Sequence, residues 1–395
     1  MYLTNKFGRV VEHDDPEKIK KLMASGLRES TKAEIDAMLA KHARYAAEAA
    51  MEKGEGIFYQ TVSSSPDGYG MSRDLLKKEL FREGIYLSEN YSGQKIGLLY
   101  SYPYGVNAMR TPVRIIFTMF ESDKIPEDWP EYLKAADQVL VPSEWCRDVF
   151  KRAGIESTVV HLGYNDEQFY YIDRPVPVEN SEPFTFIHYD SFNIRKGFME
   201  VVTAFSEEFK DNEPVRLILK TVHQNSPIPI MKSQYPNIEV IRDRLDEKGL
   251  RELLGRANCM VYPSRGEGFG ITPLEAMATG LPAIVPNAHG ISAYFNSEYM
   301  LEVQATEMTP ALYNRFKGQD VGSMVAPDIK DLRAKMRYAY NHQAEMKALG
   351  KKASEYVQAF TYKRTAKQLS EILKSWEDRP VQARADSKFL KVEEV

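Results

Sequence analysis

The chain has 395 residues, 43% of them hydrophobic and 27% charged, with a formal net charge of -4. That length exceeds one ordinary core and suggests two domains of roughly 150–200 residues, and the composition is that of a globular protein. The charge excludes a global pull toward nucleic acid or anionic membrane, leaving room only for a local basic cleft.

Two cysteines, Cys146 and Cys259, stand far apart in apolar runs and read as buried thiols rather than a disulfide or metal site. The opening MYLTNKFGRVVEHDD has no basic start leading into an apolar stretch, so it does not read as a secretory signal. No run approaches the ~18 apolar residues that cross a bilayer. The expectation is a soluble, cytoplasmic chain.

Residues 1–55 read as a charged extension in which a GRVVEH strand precedes helical patterns, with Asp15 or Ser30 as caps. The pattern then becomes α/β. GIFYQTV predicts a buried strand, SSSPDGYGMS a glycine loop and RDLLKKELFREG a helix, an order that suggests the first unit of a parallel sheet. QKIGLLYS, VRIIFTM and QVLVPS continue as strands, with EDWPEYLKAAD and SEWCRDVFKRAG as helices, completing a domain over 56–172. DRPVPVENSEP, 173–183, carries three prolines and no apolar periodicity and predicts a linker.

The rhythm restarts over 184–360. FTFIHYD, VRLILKT, IEVIRD, CMVYPS and PAIVPN read as strands, and GFMEVVTAFSEEF, EKGLRELLGRA and TPLEAMATG as helices. Three amphipathic helices follow: DIKDLRAKMRYAYNH, AEMKALGKKASEYVQAF and YKRTAKQLSEILKSW. The last opens a segment, 361–395, expected to return to the first domain before a polar tail. Two βα arrays in succession predict two Rossmann-like doubly wound domains facing each other across a cleft.

In open α/β sheets ligands sit beyond the carboxyl ends of the strands. After CMVYPS, the loop RGEGFG runs into a helix whose first amides and dipole suit a phosphate, with Glu267 in the loop and Glu275 one turn into the helix. Glycines there allow backbone to approach a ligand closely.

Two glutamates separated by seven residues in PSRGEGFGITPLEAMATGLPAIV resemble the signature of the retaining nucleotide-sugar transferases of glycosyltransferase family 4, which have the GT-B fold. The resemblance runs from about residue 56 to 375. It implies that Glu267 contacts the donor sugar, that Glu275 binds the nucleotide ribose, and that Gly268, Phe269, Gly270 and Ile271 present backbone to sugar and diphosphate. NIRKGFMEVVTAF resembles the family's diphosphate clamp, which makes Lys196 the cation for the departing phosphate. Where the family has an arginine five residues earlier, Ser191 stands, and Arg195 or Arg265 is expected to substitute. His289 and Gly290 occupy the place of the family's glycine pair; backbone from Gly290 and Ile291 is expected at the diphosphate, and His289 as cap or packing.

SSSPDGYGMSR resembles the family's donor and acceptor loop, with Gly68 and Gly70 for close approach and Ser72 and Arg73 opening the next helix. The first-domain histidine of many relatives has no counterpart, since residues 57–160 contain none. Glu121 in FTMFESDKIPEDW is the candidate for the acceptor pocket, with Asp123 beside it; the pair also mimics metal-ligand spacing, but GT-B enzymes generally act without a metal and none is invoked. His161 reads as packing. No cofactor is expected beyond the donor itself.

The acceptor is a hydroxyl of a saccharide or small molecule, or a hydroxymethylated pyrimidine in phage DNA, because two segments resemble phage-encoded proteins. DNA would need a basic groove, for which Lys77, Lys78, Arg82, Arg110 and Arg114 are the candidates. Arg242 or Arg244 is a candidate for base choice. The alternatives are a silent nucleotide-sugar-binding protein and a GT-B epimerase or phosphorylase.

Overall fold

The computed structural model describes residues 2–4, 10–12, 17, 28–30, 56–61, 68–174, 182–221, 236–316 and 318–380. Near the N-terminus, β1 (Tyr2–Thr4), β2 (Val10–Glu12) and β3 (Arg28–Ser30) form an antiparallel sheet of order β2-β1-β3. The helices expected between residues 13 and 55 lie outside the described residues.

The first α/β domain holds β4 (Ile57–Thr61), α1 (Gly68–Arg82), β5 (Leu87–Ser88), β6 (Ile96–Tyr100), β7 (Val113–Phe117), α2 (Trp129–Leu133), β8 (Gln138–Val141), α3 (Glu144–Arg152) and β9 (Thr158–Val159). Every strand pair is parallel, in the order β5-β4-β6-β7-β8-β9. The strands β6 and β7 are buried at every position, as expected where helices cover both faces.

The second domain runs through β10 (Phe184–Tyr189), α4 (Phe198–Glu208), β11 (Val215–Lys220), β12 (Ile238–Ile241), α5 (Glu247–Gly255), β13 (Cys259–Val261), α6 (Ile271–Ala278), β14 (Ala283–Val285) and β15 (Leu301–Glu302). Its sheet is parallel, ordered β12-β11-β10-β13-β14-β15. A hairpin of β16 (Glu307–Pro310) and β17 (Ser323–Ala326) follows, then α7 (Ile329–Asn341), α8 (Gln343–Tyr356) and α9 (Tyr362–Glu377). The protein is therefore two facing parallel-sheet domains with C-terminal helices.

The chain crosses between domains twice, at neighbouring points. On the way out, Ile172 N–H donates to the carbonyl of Thr279 and the buried Arg174 guanidinium reaches Leu254 and Thr279, so the crossing is complete before residue 175. On the way back, the Tyr164 N–H donates to the Phe360 carbonyl and the Tyr362 N–H to the Tyr164 carbonyl. Helix α9 then packs on α1, with Lys374 Nζ on the carbonyl of Glu83 and Trp376 Nε1 on Gln138 Oε1. Of the linker read over 173–183, residues 175–181 lie outside the described residues.

The hairpin β16–β17 is an element the sequence reading does not contain. Its connecting segment inserts Tyr313 and Phe316 into a first-domain aromatic cluster of Phe120, Trp129, Tyr102 and Phe150. Both cysteines are buried and free, as read.

Candidate active site

Strand order in the second sheet reverses at β10, which pairs with β11 on one side and β13 on the other. Ligand crevices of doubly wound sheets open at such a switch point. The loops leaving β10 and β13, 190–197 and 262–270, bring the candidate side chains together there. Asn193 caps the short turn Ile194–Lys196 by accepting from the Lys196 amide, which fixes where the lysine emerges.

Lys196 Nζ lies 2.8 Å from Glu267 Oε1, 3.0 Å from Asp190 Oδ2 and 3.0 Å from the Tyr262 hydroxyl. Tyr262 is also 2.6 Å from Asp190 Oδ2 and 2.9 Å from Glu267 Oε1, and Ser264 Oγ donates to Glu267 Oε1 at 2.7 Å. Arg195 binds the Gly266 carbonyl at 2.7 Å and sits 3.3 Å from Glu267 Oε2. Its other nitrogen reaches across the domains to Glu121 Oε1 at 3.5 Å, while Tyr313 donates to Glu121 Oε2. Glu275 accepts from the Tyr189 hydroxyl at 3.0 Å.

Three carboxylates, Asp190, Glu267 and Glu121, thus face two cations. Burial pushes the Asp190 and Glu267 carboxyls up, yet Lys196, with Arg195 at Glu267 and Tyr262 at Asp190, outweighs it and holds both below the ordinary range. Burial works against the Arg195 charge, but Glu121 and Glu267 reverse the balance and keep it protonated. Burial lifts the Glu275 carboxyl to about 8, against the Tyr189 hydrogen bond and with help from Asp190, and among the described residues no cation stands beside it.

The glutamate loop has its carbonyls occupied and its amides open. The Gly268 carbonyl accepts from Ser143 of the first domain at 2.7 Å, Glu267 from the Gly290 amide at 2.8 Å, and Gly270 from the Tyr294 hydroxyl at 2.6 Å. The amides from Glu267 to Ile271 donate to no backbone acceptor among the described residues. They run into the N-terminus of α6, the arrangement that suits an anion. What approaches the loop glycines closely is the first domain: a Cβ on Gly266 would lie 2.1 Å from the Glu121 carbonyl, and on Gly268 2.7 Å from Met119 Sδ.

The structure assembles Glu267, Lys196, Arg195 and Glu121 with the 267–271 backbone, and sets Glu275 beside them. Several other candidates fall elsewhere. Arg265 is engaged by Glu200 and Thr309 and turned to the hairpin, because Glu200 on α4 supplies a nearer carboxylate. The Gly290 amide donates to the Glu267 carbonyl, and Ile291 lies within the short helical turn His289–Ala293. Gly68 and Gly70 lie in the first turn of α1, which starts four residues ahead of Ser72; the preceding loop, 62–67, lies outside the described residues. Asp123 accepts from the Ser323 amide at 2.6 Å, so it staples the hairpin and does not pair with Glu121. His161 contacts Glu144 at 3.1 Å and stacks on Phe269.

Four of the five residues considered for a basic groove are also occupied. Lys77 pairs with Glu89, Lys78 and Arg82 with Glu167, and Arg114 is buried; Arg110 is exposed. After β12, Arg242 is half-buried and Arg244 exposed.

The sequence reading missed Asp190, Tyr262, Ser264 and Ser143. Asp190 ends the strand run FTFIHYD, and an acid at a strand's carboxyl end was the available signal. Ser191, standing in the expected arginine's place, donates to Asp190 instead. Among the described residues no group of three or more His, Cys, Asp or Glu converges as metal ligands, and no helix is long and apolar enough to cross a membrane.

Two doubly wound domains, joined by a double crossover and carrying a carboxylate–cation cluster at the switch point, define the GT-B class. Residues 221–369 match the model described as "Family 4 Glycosyltransferase in conflict systems". Over that stretch the chain is similar to glycosyltransferase family 4.

A 60-residue stretch is 45% identical to ORF313, a candidate glycosyltransferase of Acidianus filamentous virus 1, covering 15% of this chain and 19% of that protein. Over 270 residues the chain is 22% identical to candidate glycosyltransferase 45 of a Sulfolobus islandicus filamentous virus, covering 66% of this chain and 73% of that one. The match therefore spans only 19% of the first relative's length. Among solved structures, HepE of Anabaena in complex with UDP-glucose aligns with TM-score 0.59 at 15% identity, over 81% of this chain and 99% of that one. Sucrose-phosphate synthase from Thermosynechococcus elongatus aligns with TM-score 0.53 at 18% identity, over 88% and 80%. At such identities the likeness carries the fold.

Proposed function

We propose that the protein transfers a sugar from a nucleoside diphosphate donor to a hydroxyl acceptor with retention at the anomeric carbon. The observation that carries this reading is the buried Lys196 ammonium, held between Glu267 and Asp190 next to open amides at a helix N-terminus. As the donor enters, its diphosphate replaces carboxylate oxygens around Lys196 and Arg195. Positioned cations and amides stabilise the charge that grows on the leaving phosphate. Glu267 orients the sugar hydroxyls, and Glu275 accepts from the ribose. UDP is the favoured nucleotide, on the precedent of the UDP-glucose complex of HepE.

Glu121 stands across the cleft from Glu267, bridged by Arg195, and lines the acceptor side. In a front-face displacement the acceptor oxygen bonds to the anomeric carbon as the carbon–phosphate oxygen bond breaks, and the acceptor's proton passes to the departing phosphate. No histidine is needed for that transfer.

A saccharide or other small hydroxyl compound is the favoured acceptor. The occupied state of Lys77, Lys78, Arg82 and Arg114 weighs against a DNA groove. The test is a thermal-shift screen against nucleotide sugars, then mass spectrometry of oligosaccharides and hydroxymethylated DNA incubated with the best donor. A mass increment of one sugar on the acceptor supports transfer. Tight binding with no nucleotide released identifies a silent binder, and an isomerised donor identifies an epimerase.

A further inference from the structure

His289 is the only non-glycine among the described residues with positive φ, at 45°, and its side chain is 95% buried, with 5% exposed. Left-handed backbone strains a residue that carries a β-carbon, and such strain gathers at functional sites. The ring Nε2 lies 3.0 Å from the Ser264 carbonyl, which can only accept, so Nε2 carries the proton. Nδ1 is therefore a bare acceptor, and among the described residues it has no hydrogen-bond partner. A buried polar atom left unsatisfied is costly and calls for an explanation.

The surroundings narrow what can satisfy it. Ser264, which the ring holds, donates to Glu267 Oε1, and the amide following His289 holds the Glu267 carbonyl. The ring thus belongs to the same loop pair that sets Glu267. Trp145 of the first domain meets it edge-on at 6.3 Å, which places it where the domains face each other. A diphosphate oxygen has no hydrogen to offer Nδ1; a sugar hydroxyl has.

We infer that His289 Nδ1 accepts a hydrogen bond from a hydroxyl of the donor's sugar and so contributes to the choice of sugar. This rests on the donor reading above. The fixed tautomer gives an acceptor that cannot also donate, so a sugar presenting a hydroxyl is favoured over one lacking it at that position.

The experiment compares UDP with UDP-glucose, UDP-galactose and UDP-N-acetylglucosamine by calorimetry on the full chain. Wild type, His289→Gly and His289→Phe are used; glycine relieves the backbone strain, so folding is retained, and phenylalanine keeps a ring without the acceptor. For the tightest-bound sugar donor, both variants are expected to weaken binding about 5–30-fold while UDP affinity stays within about two-fold. In the wild type the Nδ1 nitrogen resonance moves with that donor and not with UDP alone. Equal losses for UDP and UDP-sugar, or no loss, overturn the role of His289, the latter meaning that a buried water satisfies Nδ1. Failure of the wild type to bind UDP or any of these donors instead overturns the donor reading, and this inference with it.

Discussion

Lys196 has two functions in opposition. In the free protein its charge offsets two buried carboxylates, and in the proposed reaction it must face a diphosphate. Removing one partner of a buried ion pair costs about 3–5 kcal/mol, because the remaining charge is left without compensation. Lys196→Met is expected to lower stability by that order and the rate of transfer by about 10²–10³-fold. Adding Asp190→Asn removes one stranded carboxylate and restores part of the stability without restoring turnover; denaturant melts and a nucleotide-release assay separate the two. Restored turnover would mean that the lysine is structural.

Glu275 gives a signed pH dependence. Its carboxyl sits near 8 in the folded chain, against an ordinary value of 4.5. The folded state keeps a proton that the unfolded state releases, so this group's contribution is complete below about 4.5 and is lost as pH rises through about 8. Glu275→Gln is expected to flatten the fall in Tm over that window. On the proposed reading, ribose hydroxyls donating to Glu275 favour the ionised form, so nucleotide binding near pH 7 is expected to release a proton. Calorimetry in buffers of different ionisation enthalpy reads that release, and no buffer dependence would place the ribose elsewhere.

Much of this residue-level site was legible because Glu267, Glu275 and Lys196 sit in short motifs with fixed spacing. Asp190 and Tyr262 were not, because their roles arise only when β10 and β13 lie side by side. Arg195 and Arg265 looked alike in sequence, and only the placement of Glu200 and Glu121 tells them apart.

At the scale of elements, the hairpin β16–β17 ties the site to the first domain. Ser122 Oγ donates to the Val321 carbonyl at 2.6 Å, Asp123 and Ser323 exchange two bonds, and Val325 N–H donates to the Arg265 carbonyl. Phe316, nearly buried, closes the aromatic cluster around Trp129. Phe316→Ala is expected to cost about 3–5 kcal/mol and to raise hydrogen exchange in β7 and α2, elements of the other domain. Loss confined to 307–326 would show that the hairpin is an ornament. Its strands escaped sequence reading because EMTP has no buried face to alternate against. The long βα units were readable for the opposite reason: β6, β7 and β10 are apolar runs between helix patterns, buried at every position.

At the scale of the whole molecule, the domains meet through Ser143 at Gly268, Arg195 at Glu121, and the paired crossings at 164 and 361. The succession of βα units announced two sheets, but strand order, and with it the position of the crevice, is a property of packing that no single segment encodes. The second crossing leaves no room for a side chain: a Cβ on Gly163 would lie 2.2 Å from the Thr361 carbonyl carbon. Gly163→Ala is expected to cost about 1–3 kcal/mol and to loosen α9 from α1, seen as faster exchange in both helices. Unchanged exchange would mean that the returning helix docks independently of the crossing.

The proposed role of Lys196 at a nucleoside diphosphate is where the residue, element and whole-molecule predictions meet. The decisive measurement is nucleotide release from UDP-sugars, with acceptor present, by the wild type, Lys196→Met and Glu267→Gln. Release and sugar transfer are expected from the wild type, with both variants slowed at least about 100-fold while wild-type-like folding persists at the assay temperature. Variants that turn over at the wild-type rate, or a wild type that consumes no nucleotide sugar, would contradict the assignment.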